Sequence, residues 1–158
     1  MSEFPEAELV KKTVILRQMD LPPNIKLTKR SMLRWFALSI GLISEKESRS
    51  TVLDVVDAVF SLQLGSDAKP CSTTDVQDFI KLKYNKQISE KLLRYHLNRM
   101  IDLGLLLRKK QKYVFNYAPY AEKNELRKAF NHHITSNIHK TLNDVEDVFE
   151  QLTESYKK

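Results

Sequence analysis

The chain has 158 residues, 42% of them hydrophobic and 29% charged, proportions of a soluble globular protein with one domain or one domain and an appendage. That apolar content excludes wholesale disorder, and a single cysteine, Cys71, excludes a disulfide scaffold and suits a reducing cytoplasm. The net charge of +6 is concentrated: residues 81–123 hold eleven Lys and Arg against three Asp and Glu, the footprint of a surface that binds a polyanion.

Residues 1–24 form an arm without a clear period. Leu9, Val10, Val14 and Ile15 could line a helix, or Thr13 to Leu16 could form a short strand. Met1 to Glu8 lack the basic-then-apolar order of a signal peptide. Pro22 and Pro23 end either element and force an extended connection. Thr28 then caps a predicted helix from Lys29 to about Leu42, with Met32, Leu33, Phe36 and Ile40 at the helical period. Its apolar stretch, Met32 to Ile43, is too short and too interrupted by Arg34 and Ser39 to cross a bilayer.

Ser50 caps a second predicted helix, Thr51 to Leu64, which is apolar on most sides and therefore central to the core. Asp54 and Asp57 share one face of it and read as solvent-exposed. Ser72 and Asp75 form a capping box for a third helix that reaches about Tyr84. Asn85-Lys86 makes a short turn, and Ser89 caps a fourth helix, Glu90 to Leu103, with Leu93, Leu97, Met100 and Ile101 on one face. Gly104 stands where a left-handed residue closes a helix. Leu105 to Arg108 and Tyr113 to Tyr117 read as the two strands of a hairpin that reverses over Lys109 to Lys112. From Ala121 to Tyr156 there is no Pro or Gly and the period is helical.

The order helix, helix, short turn, helix, Gly, basic hairpin over residues 50–117 resembles the winged helix-turn-helix transcription regulators of bacteria and archaea. The run "ISEKLLRYHLNRMIDLGLL" carries the likeness, through Ser89, Leu93, Arg94, Tyr95, His96, Leu97, Met100, Leu103, Gly104 and Leu105. The resemblance implies a mostly α fold with a small β-hairpin wing, residues 25–118 forming the DNA-binding domain with an extra N-terminal helix. Residues 119–158 would then form a C-terminal dimerisation helix. It implies a cytoplasmic, sequence-specific regulator of double-stranded DNA acting as a homodimer, with no membrane partner.

Physical chemistry adds the contacts. A helix fits the major groove when its inner face holds the domain and its outer face carries donors. Lys91, Tyr95, Asn98 and Arg99 lie opposite the apolar face of residues 90–103, and Arg94 lies at the flank near the helix start. Arg can grip guanine, and Asn adenine, in bidentate fashion. A solvated helix face would show the same polar residues. In the hairpin, Arg108, Lys109, Lys110 and Lys112 repel one another in a bare protein, and phosphates would relieve that repulsion. Lysines that protect a strand edge are the alternative. Lys29, Arg30 and Arg34 could extend the basic patch.

In the C-terminal helix Phe130 and Ile134 are expected to pack on the domain. Leu142, Val145, Phe149 and Leu152 follow coiled-coil spacing and are expected to meet a second chain; a helix folded back on its own subunit is the alternative. His132, His133 and His139 lack the i, i+4 spacing that places two imidazoles on one side of a helix, so they read as a solvated face rather than a metal site. His96 reads as a packing residue and Cys71 as a buried thiol. No catalytic residue, metal or cofactor is expected, since neither a P-loop nor a nucleophile elbow is present. Two rival functions remain: a protein-interaction module within a transcription or RNA-processing assembly, and a regulator with an effector pocket between the Trp35 helix and the core.

Overall fold

The computed structural model describes residues 5–46, 51–65 and 67–158. Four helices build the body: α1 (Lys29–Ser39), α2 (Thr51–Leu64), α3 (Thr73–Tyr84) and α4 (Glu90–Leu103). A two-stranded antiparallel hairpin follows, β1 (Leu106–Lys109) and β2 (Lys112–Phe115), then α5 (Leu126–Phe130), one π-helical turn over Asn131–Thr135, and α6 (Ser136–Tyr156). Among the described residues, no helix is long and apolar enough to cross a membrane.

The core is built around α2. Val52, Leu53, Val55, Val56, Ala58 and Val59 are all buried, with α1, α3 and α4 packed around them. Each cap named from sequence within the described residues is present. Thr28 Oγ1 accepts from Ser31 N, Ser72 and Asp75 close a capping box, and Ser89 Oγ accepts from Leu92 N. Ser50 lies outside the described residues. Gly104, at φ 95°, ends α4 in the left-handed region open to glycine. Asn85, at φ 54°, ends α3 in the same region.

The hairpin pairs Leu106 with Phe115 and Lys109 with Lys112. Cys71 adds one rung, its N–H and C=O both bonded to Tyr113. Gln63 ties the hairpin to α2, since its Oε1 accepts from Phe115 N at 3.0 Å and its Nε2 reaches Cys71 Sγ at 3.6 Å.

Helix α1 ends at Ser39 rather than near Leu42, the hairpin turns over Lys110 and Gln111 alone, and three further readings of the sequence change. Residues 10–22 of the arm form neither helix nor strand; the arm is pinned to the end of α1 instead. Arg17 N donates to Ser39 O, and Arg17 Nη1 donates to the Leu38 and Ile43 carbonyls, occupying acceptors that a helix end leaves orphaned. Ile15 sits over Gly41 so closely that a Cβ there would lie 2.7 Å from its own, which admits only glycine. The terminal helix begins at Leu126, not Ala121, because Asn124 is left-handed at φ 74° and breaks any helix through it. Asp54 and Asp57 are buried, at 1% and 6% exposure, not solvent-facing as their spacing suggested.

Candidate nucleic-acid interface

Helix α4 separates its faces cleanly. Leu93, His96, Leu97 and Met100 are buried, while Lys91, Arg94, Tyr95 and Asn98 are exposed. The turn leading into it is braced by Gln77, whose Nε2 donates to Ile88 O at 3.0 Å. Arg94 forms an i, i+4 ion pair with Glu90 at 2.7 Å, both exposed. Lys91 has no ion pair among the described residues.

Arg99 has a different place from its neighbours. It is half-buried, its Nη2 donates to Gly41 O at 2.6 Å, and its guanidinium lies 5.8 Å from the Tyr95 ring centroid. It therefore joins α4 to the end of α1. Tyr95 is held from two sides, by Arg99 and by an edge-on contact with His96 at 5.4 Å.

The hairpin tip is exposed and cationic apart from Gln111. Arg108 lies over the buried Tyr113 ring at 5.9 Å, and Lys109, Lys110 and Lys112 stand in solvent. None of the four has an ion pair among the described residues. The turn is unusual: Lys110 and Gln111 adopt φ of 50° and 65°, which side-chain-bearing residues avoid. Asp75, in the α3 cap, feels this charge. The Ser72 backbone N–H holds its carboxyl below the ordinary carboxylate range, and Lys69 and Lys112 add to the effect.

A second charged cluster went unread in the sequence. Asp54 accepts from Arg30 of α1 at 3.0 Å and from Lys86, in the turn before α4, at 3.1 Å. Asp57 accepts from Lys83 at 2.6 Å, from the Tyr84 hydroxyl, and from Ser61 at 3.4 Å. Arg30, Lys83 and Lys86 all lie within cation–π reach of the Tyr84 ring. Burial works against the Asp57 carboxylate, but the Lys83 and Tyr84 hydrogen bonds outweigh it and hold its pKa below the usual value. Lys83 is raised in turn by its bond to Asp57. Tyr84 is raised by burial and then by Asp57. The signal was present in the sequence. A helix that buries every face also buries its acids, which then need partners.

The terminal segment divides as its spacing predicted. Ile134 is buried and Phe130 packs on the core, while no residue of α6 is buried. Leu142, Val145, Phe149 and Leu152 are all exposed, Phe149 by 68%. His132 and His139 face solvent, but His133 does not share that face: it is half-buried and donates from Nε2 to the Tyr117 carbonyl at 3.1 Å. Cys71 is buried, and desolvation pushes its thiol up to about 11, which makes it inert. No family model, curated protein or solved structure matches the chain.

Proposed function

We propose that the chain is a sequence-specific, double-stranded-DNA-binding transcription regulator of the winged-helix kind, acting in the cytoplasm as a homodimer. One observation carries the reading. The outer face of α4 and the tip of the next hairpin present Lys91, Arg108, Lys109, Lys110 and Lys112, exposed and without an ion pair among the described residues. Cations left unpaired beside one another gain little for folding, whereas phosphates would take them up with release of counterions.

In this reading α4 enters the major groove, Arg94 and Asn98 read base edges, and Lys91 and Tyr95 meet sugar and phosphate. The Arg94–Glu90 pair is exposed, so it holds the guanidinium ready at little cost to its exchange for a base. The hairpin tip clamps the backbone. Arg99 is reassigned from contact to positioning, because its guanidinium is engaged at Gly41. The rung at Cys71 supports the winged-helix reading: it places a strand-like residue between α2 and α3, paired to the hairpin. The apolar stripe of α6 supports self-association, since a rod of about 30 Å with one exposed apolar face is stabilised by a second copy.

The test is selection of bound duplexes from a random pool by the full chain. Enrichment of a two-fold symmetric site is the expected result. An unselected pool, together with a stable complex with another protein, would replace this reading with that of a protein-interaction module.

A further inference from the structure

A cavity of about 920 Å³ sits between α1, α2, the root of the hairpin and α5. Its apolar lining includes Leu33, Phe36, Phe60, Leu64, Leu105 and Phe130. The volume falls within the roughly 300–1,000 Å³ of small-molecule sites. Two cations line it, Lys29 and Arg127, both exposed and neither ion-paired among the described residues. The acid in the lining, Asp57, is already engaged by Lys83, Tyr84 and Ser61. The cavity therefore joins an apolar body to uncompensated positive charge.

We propose that this cavity binds an amphipathic carboxylate, an acyl chain or ring system of about ten carbons with its carboxylate against Lys29 and Arg127. The apolar lining removes the hydrocarbon from water, and the two cations select the anionic head. An alcohol of the same length would keep only the first of these, and an amine would be repelled. The site also touches the C-terminal end of α4, where Gly104 and Leu105 line it, and Asp57 joins it to the end of α3 through Lys83 and Tyr84. Occupancy can thereby bear on the basic face, but binding itself does not depend on the DNA reading.

Isothermal titration of the full chain, below the micelle concentration of each ligand, tests the site without DNA. Octanoate, decanoate and dodecanoate should bind one per chain, tightening about fourfold per methylene. Decanol should bind about tenfold more weakly than decanoate. The double variant Lys29→Glu, Arg127→Glu should lose that advantage for decanoate and leave decanol unchanged. Met32 lines the cavity from an exposed position, so Met32→Trp should fill it and weaken every ligand at least tenfold with no loss of thermal stability. Absence of saturable binding to the wild-type chain overturns the site, and equal binding of decanol and decanoate overturns the carboxylate. Affinity that falls as the protein concentration rises overturns it as well, because the acidic α6 of a second copy would then be the occupant.

Discussion

At the scale of single residues, the proposed contacts divide into those that read sequence and those that only attract phosphate. Arg94→Ala removes a base-edge donor, so it should cost about 1–3 kcal/mol on a preferred duplex and much less on random DNA. The pair Lys109→Ala, Lys110→Ala should weaken both duplexes alike and lower the slope of log K against log salt by about 2. Fluorescence anisotropy over a salt series measures both; an Arg94→Ala effect equal on the two duplexes would remove this residue from base readout. Asp57 supports a different prediction. Its folded pKa lies below the unfolded value, so the stability it adds is complete above about pH 4 and is lost as pH falls through the folded value. Asp57→Asn should therefore destabilise the chain by about 1–3 kcal/mol at neutral pH. It should also flatten the acid limb of the stability curve in urea titrations from pH 7 to pH 2. A mutant curve parallel to the wild-type curve would count against the pairing.

At the scale of elements, hairpin and caps meet different fates. Caps are local chemistry, one hydroxyl and one N–H three residues apart, and Thr28, Ser72 and Ser89 were legible for that reason. The two faces of α4 and the exposed stripe of α6 were legible too, since period alone sets them. What depended on tertiary partners was not. The arm carries no period because Arg17 and Ile15 serve the end of α1 rather than an element of their own. Arg99 looked like its outward neighbours until α1 supplied an acceptor for it. Asp54 and Asp57 looked solvated because a helical wheel places residues on a face without saying what covers that face.

The hairpin turn adds a prediction at this scale. Lys110 and Gln111 hold positive φ where Asn and Gly would sit without strain, at a cost of roughly 1–2 kcal/mol per residue. Lys110→Asn with Gln111→Gly should raise stability by at least 1 kcal/mol, seen as a melting temperature about 2–4 °C higher. It should also cost one phosphate contact. A gain in stability with no change in salt slope would leave Lys110 outside the interface.

At the scale of the whole molecule, a body centred on α2 carries a rod that it does not cover. Phe149→Glu with Leu152→Glu should convert the species seen by sedimentation equilibrium from dimer to monomer with little change in thermal stability, because neither side chain is buried within its own chain. Monomer already present in the wild-type chain at high micromolar concentration would assign the stripe to another partner. The register of that stripe is set at one place. The π-helical turn at Asn131–Thr135 lodges Ile134 against Gly104 and His133 against Tyr117, and Ser136 Oγ accepts no share in the ladder but donates to Asn131 O at 2.8 Å. The wide turn takes in one residue more than an α-turn at a smaller rotation per residue, so it absorbs that residue and seats Ile134 and His133 on the body without putting the stripe beyond it out of phase. In the proposed dimer, the phasing of its two recognition helices along a duplex would rest on how that one wide turn seats each rod on its body.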